Sequence, residues 1–154
     1  MNLNLRPATS ADAERLLAWR NDLVTRQSSI NTDPVSLENH LAWLAKILRE
    51  DESAPTRQLF IAEEVGTPVG TVRLDWASDR KAVELSWTIA PEARGRGLGQ
   101  AMVEAATELP AVRGKQVLAK VKPENVASMK IVANLGFTRL PDDPLGLTEW
   151  LIQK

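Results

Sequence analysis

Cysteine and tyrosine are absent from this chain of 154 residues, and histidine occurs once, at His40. Without cysteine there is no disulfide framework, no Cys-ligated zinc site and no thiol nucleophile. A single histidine excludes a metal site built from several histidines, and a Ser-His triad would have to use His40. The lack of tyrosine excludes a phenolic acid. We therefore expect no metal centre and no catalysis by a thiol or a phenol.

An excess of charge and long apolar runs are also missing. Nineteen basic and twenty acidic residues give a net charge of -1, which supplies no general attraction to nucleic acid or to an anionic membrane. No apolar run approaches the roughly 20 residues that a membrane-spanning helix needs, and the start, MNLNLRPATS, lacks the pattern of a secretory signal. The composition predicts a soluble, cytoplasmic, single domain over residues 1–154 that binds neither nucleic acid nor membrane.

The apolar periodicity predicts a mixed α+β fold. A short strand at residues 3–5 precedes two helices, the first opened by a capping box from Thr9 to Asp12 and the second by Ser36 as N-cap. Three strands follow, and then a helix, a strand, a helix and a final strand. Gly136 stands where a glycine closes the second of these later helices. The predicted ranges are 59–65, 71–76 and 83–89 for the three strands, and 98–109, 117–121, 124–134 and 148–152 for the later elements.

A glycine-rich segment, residues 94–100, opens the helix that is predicted to start at residue 98, and we call it the glycine loop. Its sequence is Arg-Gly-Arg-Gly-Leu-Gly-Gln. Glycine allows sharp turns and a close approach of the backbone to a ligand, while the first N–H groups of a helix are unpaired and carry partial positive charge. Such a loop suits phosphate oxygens, and Arg94 and Arg96 would add guanidinium groups beside it.

Two common nucleotide-binding motifs do not fit the glycine loop. A Walker loop requires Gly-Lys-Ser/Thr, which is missing. A dinucleotide-binding loop requires G-x-G-x-x-G and an acidic residue about 20 positions later, but the spacing is G-x-G-x-G, and Ala119 and Lys120 stand where the acidic residue belongs. A glycine-rich turn with solvated arginines is the alternative that needs no ligand.

Two motifs resemble those of a known family. Arg94-x-x-Gly97-x-Gly99 resembles the R/Q-x-x-G-x-G/A signature of the GNAT superfamily of acyl-CoA-dependent N-acyltransferases. Asn125-x-x-Ser128, followed by Leu-Gly-Phe at residues 135–137, is similar to the late motif of that family, and the order of elements matches over most of the chain. The resemblance implies a mostly antiparallel central sheet flanked by helices, with the fourth and fifth strands splayed apart.

The resemblance also implies acetyl-CoA as the co-substrate. Its pantetheine arm would pair with backbone near Ile89, where an N–H group would also meet the thioester oxygen. Asn125 would hold the arm from the other side, and Ser128 of the same motif is predicted to join it. The pyrophosphate would lie on the N–H groups of the glycine loop, which belong to Arg94, Gly95, Arg96, Gly97, Leu98, Gly99 and Gln100.

The chain departs from the family at positions that carry catalysis. Relatives often supply a tyrosine that protonates the leaving thiolate, seven residues after the motif asparagine, but Val132 stands there. Some relatives use a fifth-strand glutamate as the base, and Lys120 occupies that position. Water or the outgoing ammonium group would then protonate the thiolate, which is a tolerable leaving group.

Glu84 is our candidate for the base that takes a proton from the amine. It shares the polar face of its strand with Ser86 and Thr88, and members of the polyamine-acetylating branch have a glutamate in a similar place. The alternative is a solvent-facing or paired strand carboxylate. If residues 77–80 form a four-residue hairpin loop, Arg73 lies opposite Glu84, and its guanidinium would lower the pKa of that carboxyl.

The segment Trp19-Arg20-Asn21-Asp22, with Arg26 and Ser29, resembles GNAT members that act on nucleotide-activated amino sugars or on protein N-termini. There it would border the acceptor cleft, and we predict that Arg20, Asn21 and Arg73 bind the acceptor. Trp19 and Trp43 would stack on an acceptor or pack in the core, the second being the simpler interpretation. For His40, a structural role is favoured over catalysis.

We therefore predict an N-acetyltransferase that moves an acetyl group from acetyl-CoA to a primary amine by direct attack. The predicted partner is a small-molecule amine, with a nucleotide-activated amino sugar as the leading example. A protein N-terminal acetyltransferase and a non-catalytic acyl-CoA sensor remain alternatives. Homodimers are common in the family, but no residue pattern decides the oligomeric state.

Overall fold

The computed structural model describes residues 3–50 and 54–154. Within these ranges, seven strands form one sheet in the order β1-β2-β3-β4-β5-β7-β6. Neighbouring strands are antiparallel except β4 and β5, which are parallel. This mixed, mostly antiparallel sheet confirms the predicted fold class. The strands are β1 (Leu3–Pro7), β2 (Arg57–Glu64), β3 (Thr67–Trp76), β4 (Ala82–Ile89), β5 (Gln116–Val121), β6 (Thr138–Leu140) and β7 (Thr148–Gln153).

The helix starts follow the capping residues that the sequence provides. Thr9 and Asp12 form the predicted capping box at a short 3-10 turn, and the Ser36 side chain accepts a hydrogen bond from Asn39 N. None of the described helices is long and apolar enough to cross a membrane. The helices are α1 (Ala13–Asn21), α2 (Leu23–Ser28), α3 (Leu37–Leu48), α4 (Leu98–Thr107) and α5 (Val126–Asn134).

The two faces of the sheet carry different helices. On one face α4 packs against β1, β3 and β4, and it lies so close that a Cβ atom added to Gly70 would be 2.9 Å from Met102 Sδ and 2.7 Å from Thr88 O. Because side chains alternate along a strand, Thr71 and Arg73 point to the opposite face. That face is covered by α1 and α3, which pack against β4 and β2.

The sequence interpretation missed two elements and misjudged some boundaries. It assigned two helices before the sheet, whereas α1 and α2 are separate because Asp22 ends the first and caps the second. It also missed β6, which has three residues and mostly exposed side chains, too few for a period-2 pattern to be recognised. Gly136, at φ +88°, closes α5 as predicted.

Candidate active site

The fourth and fifth strands pair only at their first residues. Residues 82–84 of β4 pair with residues 116–118 of β5, and the pairing ends at Glu84 and Leu118. Both strands continue past this point, to Ile89 and Val121. They therefore enclose an opening, which we call the β4–β5 gap, and the predicted splay of these strands is confirmed.

The hydrogen-bond alternation of β4 determines which backbone groups face this gap. Ala90 N donates to Val69 O at 2.8 Å, so even-numbered positions of β4 bond to β3, and the positions between them direct their N–H and C=O groups the other way. Leu85 N–H still belongs to the pairing with Leu118, so the N–H and C=O groups of Trp87 and Ile89 are the ones that face the β4–β5 gap. An extended ligand in the gap would find a strand edge with which to pair.

The glycine loop lies at the end of this gap and presents free amides. Gly95 and Gly97 have φ values of +79° and +75°, which an L side chain adopts only with strain. Gly97 is the N-cap of α4. In the described part of the chain, no N–H group of residues 95–100 donates a hydrogen bond to another protein group. The loop thus has the free donors and the positive helix end that suit a phosphate.

Close packing at Gly99 holds the glycine loop against its neighbours. A Cβ atom added there would lie 3.0 Å from Ile131 Cδ1 and 3.5 Å from Ile89 Cγ1. The start of α4 therefore contacts both α5 and the end of β4. Gln100, one residue later, accepts a hydrogen bond from Asn134 Nδ2 at 3.1 Å. These contacts fix the loop relative to the β4–β5 gap.

The two arginines of the glycine loop are each paired with a carboxylate. Arg94 donates to Asp22 Oδ2 at 2.6 Å and to Thr25 Oγ1 at 3.0 Å, and this ion pair lowers the pKa of the Asp22 carboxyl. Arg96 donates to both Glu64 oxygens, at 2.7 and 3.0 Å. The sequence predicted that both guanidinium groups add positive charge beside the loop, whereas both are partly neutralised by these carboxylates.

Asn125 and Ser128 stand on the far side of the β4–β5 gap, in the first turn of α5. Asn125 Oδ1 accepts a hydrogen bond from Ser128 N at 3.2 Å and so caps the helix. Trp87 Nε1 donates to Ser128 Oγ at 3.2 Å, which joins β4 to α5 across the opening. Trp87 was missed as a site residue because its place in an alternating strand gave no sign of a partner beyond the sheet.

A cavity of about 520 Å³ lies between the β4–β5 gap and the helices on the α1 and α3 side of the sheet, and we call it the central cavity. Asn125, Ser128 and Trp87 line it where it meets the gap. Its remaining lining divides into an apolar wall and a polar wall. The apolar wall includes Leu16, Trp19, His40, Trp43, Leu59 and Leu85, and the polar wall includes Arg20, Thr71, Arg73, Ser86, Thr88 and Lys120.

Of the three predicted acceptor-binding residues, the structure places two in the central cavity. Arg20 donates to Ser29 Oγ at 3.3 Å and to Asn31 O at 2.8 Å. Arg73 makes a two-pronged ion pair with Asp75, at 2.9 and 3.0 Å. Asn21 lies outside the cavity lining, and its amide bonds the Val35 backbone twice, at 2.8 and 2.7 Å. Asn21 therefore secures the loop between α2 and α3.

Glu84 occupies a different position from the one expected. The predicted pairing of Arg73 with Glu84 is wrong, because Glu84 pairs with Asp75 and Arg73 with Ser86. The turn is longer than the assumed four residues, since Trp76 pairs with Val83. The cross-strand shift by two residues keeps every side chain on its predicted face.

The surroundings of Glu84 shift the pKa of its carboxyl upwards, whereas a lowered pKa was expected from the predicted pairing with Arg73. Burial raises the pKa of the Glu84 carboxyl, and the positive charge of Lys120 opposes that rise. Glu84 lines a small cleft beside the central cavity, together with Asp75 and Leu118. Its nearest neighbour along the polar face of β4 is Ser86, which does line the cavity. Glu84 is thus a carboxylate near the cavity but not within its wall.

His40 and the tryptophans of the helices support the apolar wall. His40 is 3% exposed, its Nε2 lies 2.9 Å from Ala13 O, and its ring stacks on Trp43 with centroids 5.9 Å apart. Trp19 is buried as well. These residues pack α1 against α3, and each also presents part of its surface to the central cavity.

Comparison with known proteins identifies the class that this fold and site define. The model of the acetyltransferase (GNAT) domain matches residues 2–138, and the chain belongs to the GNAT family of acetyltransferases. The family and enzyme class predicted from the two motifs are confirmed.

Individual relatives cover most of the chain. The L-methionine sulfoximine/L-methionine sulfone acetyltransferase of Pseudomonas aeruginosa is 31% identical in an alignment 143 residues long, which covers 89% of this chain and 81% of that protein. The L-amino acid N-acyltransferase MnaT of Escherichia coli is 27% identical in an alignment 158 residues long, which covers 97% of this chain and 89% of that protein. The structure of yncA from Salmonella typhimurium with its cofactor acetyl-CoA has a TM-score of 0.75 at 27% identity, covering 99% of this chain and 94% of its own.

Proposed function

We propose that this acetyltransferase binds acetyl-CoA along the β4–β5 gap and transfers the acetyl group to a primary amine of a small molecule in the central cavity. The observation that carries the proposal is the junction of the two spaces. Asn125, Ser128 and Trp87 border the gap and line the same cavity as Arg20 and Arg73. A donor held in the gap and an acceptor held in the cavity would therefore meet.

The residues around the gap fit the coenzyme group by group. Free amides of residues 95–100 suit its diphosphate, and the free strand edge at Trp87 and Ile89 suits the amides of its pantetheine arm. The coenzyme supplies a thioester, whose carbonyl carbon is open to attack by an amine. A main-chain N–H group on that edge would stabilise negative charge on the thioester oxygen. On the opposite side, Asn125 caps α5 with its side-chain oxygen, and its amide nitrogen makes no hydrogen bond within residues 3–50 and 54–154.

The attacking amine must be neutral, so the protein has to accept its proton. We propose Glu84 as the base that accepts this proton, because burial raises the pKa of its carboxyl. Ser86 lies between Glu84 and the cavity along the same face of β4. A proton would pass through the Ser86 hydroxyl or water. The chain has no tyrosine, so the departing thiolate would take its proton from water or from the new ammonium group.

The chemistry of the acceptor amine is proposed from the residues that line the central cavity and from the names of the relatives. The cavity combines an apolar wall with arginines, which suits a molecule that has an apolar group and a negative charge. Relatives named for L-amino acids and for L-methionine sulfoximine make amino acids the first acceptors to test. The nucleotide-activated amino sugar and the protein N-terminus stay predictions, and the same assay addresses them. The cytoplasmic location and a homodimer also stay predictions, which this assay does not test.

The test is an assay of CoA release with acetyl-CoA and a panel of amines. We expect release with at least one L-amino acid, amino sugar nucleotide or short peptide, and the responding class identifies the acceptor. Saturating acetyl-CoA should also raise thermal stability, by about 2.7 kcal/mol at 100 times its Kd. Binding without release across the whole panel would contradict the catalytic proposal and favour a sensor of acyl-CoA.

A further inference from the structure

A buried nitrogen on α2 has no partner. In the described ranges, Arg26 Nε is the buried side-chain nitrogen or oxygen that makes no hydrogen bond. Arg26 also forms no ion pair within those ranges. A buried donor without an acceptor is costly, and native proteins rarely keep one unless a ligand or a water provides the acceptor.

A second arginine also has no carboxylate partner among the described residues. Within them Arg20, on α1, donates to the hydroxyl of Ser29 and to a main-chain oxygen. Ser29 Oγ donates in turn to the carbonyl of Thr25, the residue before Arg26. Burial and the charges of Arg26 and Arg73 lower the pKa of the Arg20 guanidinium. Arg20 is thus close enough to Arg26 and to Arg73 to be repelled by both charges.

The charges around this cluster do not balance. Arg20, Arg26 and Arg73 carry three positive charges, and Asp75, paired with Arg73, is the carboxylate bonded to this group in the described structure. Two guanidinium groups are left uncompensated next to the central cavity, where Arg20 and Arg73 are part of the wall. A cavity with such an excess attracts anions and binds them with charge-assisted hydrogen bonds.

We infer that Arg26 completes, with Arg20 and Arg73, an anion subsite of the central cavity, and that the acceptor amine carries a carboxylate or phosphate group that binds there. The inference rests on the proposed function and specifies its acceptor class. An anion between Arg20 and Arg26 removes their repulsion and gives Arg26 the acceptor that it lacks. Arg26 is not part of the cavity wall, so its half-buried side chain would have to turn towards the cavity to meet the ligand.

Calorimetry on the CoA-bound protein tests the inference without requiring turnover. Two matched pairs of amines differ only in the anionic group, namely L-methionine against L-methioninamide and glucosamine 6-phosphate against glucosamine. We expect at least tenfold tighter binding for the charged member of one pair, and the responding pair distinguishes a carboxylate from a phosphate. Equal affinity within both pairs, or no binding of any member, overturns the inference.

Substitutions assign the effect to Arg26. Arg26→Gln should weaken binding of the charged amine at least fivefold and leave its neutral counterpart within twofold, and Arg26→Lys should recover part of the loss. Arg113→Gln, at an exposed arginine away from the cavity, should change neither. Arg26→Met should not lower the melting temperature, because it removes a donor that has no partner. Equal weakening of both amines, or a marked fall in melting temperature, would indicate a structural role and overturn the inference.

If CoA release fails for every amine while the charged member still binds more tightly, the proposed function fails and the subsite stands. If release occurs but the charged member has no advantage, the proposed function stands and the subsite fails.

Discussion

Arg94 of the glycine loop and Asp22, the N-cap of α2, form an ion pair with a distance of 2.6 Å across 72 positions of sequence. Asp22 Oδ2 also accepts a hydrogen bond from Thr25 N, so one carboxylate both starts α2 and holds the glycine loop. Residues that follow α2, Ser29 and Asn31 among them, line the central cavity. The proposed coenzyme loop is therefore bonded to α2, the helix that leads into a wall of the proposed acceptor site.

Removing the charge of Asp22 should strengthen acetyl-CoA binding. In Asp22→Asn the amide still caps α2, but Arg94 no longer faces a carboxylate that competes with the diphosphate. We expect the Kd for acetyl-CoA, measured by calorimetry, to fall several-fold at low salt and less at high salt. Asp142→Asn, which breaks the exposed pair with Arg139, is the control. Weaker binding in Asp22→Asn would show that Asp22 instead holds Arg94 in its binding position.

Two glycines allow the loop function to be separated from backbone strain. Gly95 and Gly114 have φ values of +79° and +80°, and a Cβ atom added to either meets nothing within 4 Å. Alanine at either position should lower the free energy of unfolding by about 1–2 kcal/mol, because an L side chain is strained at a positive φ. Gly95→Ala alone should also weaken acetyl-CoA binding, because it places a methyl group on the loop surface. Equal acetyl-CoA affinity in the two variants would argue against a coenzyme on the glycine loop.

Glu84→Gln tests the proposed base. We expect turnover at neutral pH to fall at least about tenfold while acetyl-CoA affinity is retained. In the wild type, activity should fall as the pH drops through the raised pKa of Glu84, and this limb should be absent from the variant. Unchanged kcat in Glu84→Gln would remove Glu84 from the mechanism.

The same variant should be more stable than the wild type at neutral pH. A carboxyl whose pKa is raised by folding binds its proton more tightly in the folded state, so the stability from that proton is lost as pH rises through the raised pKa. Glutamine has no charge to bury, so Glu84→Gln should raise the melting temperature at pH 7 and have little effect near pH 4. Glu104→Gln, at an exposed position on α4, is the control. A lower melting temperature at pH 7 would mean that the carboxylate is stabilised by its partners.

Asp12 should make the fold sensitive to acid. Its side chain is 1% exposed and pairs with Arg6 at 2.8 Å, while Thr9 N donates to it at 2.8 Å. The hydrogen bond from Arg6 holds the pKa of Asp12 far below its usual range. The stability from Asp12 is therefore present above about pH 4 and is lost as the pH falls towards the lowered pKa.

Asp12→Asn should lower the free energy of unfolding, measured with urea, by about 2 kcal/mol at pH 7 and by less at pH 3. Asp33→Asn, in the exposed loop before α3, should have no such effect. A loss that does not change with pH would indicate that the shape of Asp12, and not its charge, is what the fold requires.

The features predicted correctly from the sequence depend on local rules. Capping residues at Thr9 and Ser36, and a glycine that must adopt a positive φ at Gly136, mark helix ends wherever they occur. The hairpin register after Trp76 could not be predicted, because Arg80 adopts φ +62°. Glycine or asparagine usually marks such a turn residue, so nothing indicated the longer loop.

The candidate site divides in the same way. The glycine loop and the start of α5 are each built from a few consecutive residues, so their motifs were visible in the chain. The pairs that connect them to the rest, Arg94 with Asp22 and Trp87 with Ser128, join residues 72 and 41 positions apart. Such contacts depend on how the helices pack on the sheet, which one sequence does not reveal.

The most direct test of the account is a titration with acetyl-CoA that follows the backbone amide signals by NMR. We expect the largest changes at residues 95–100 and at Trp87 and Ile89, with Gly114 unaffected. Addition of an accepted amine should then convert the spectrum to that of the CoA complex. Saturation with acetyl-CoA that leaves the amides of residues 95–100 and of the β4 edge unchanged would contradict the proposed binding site.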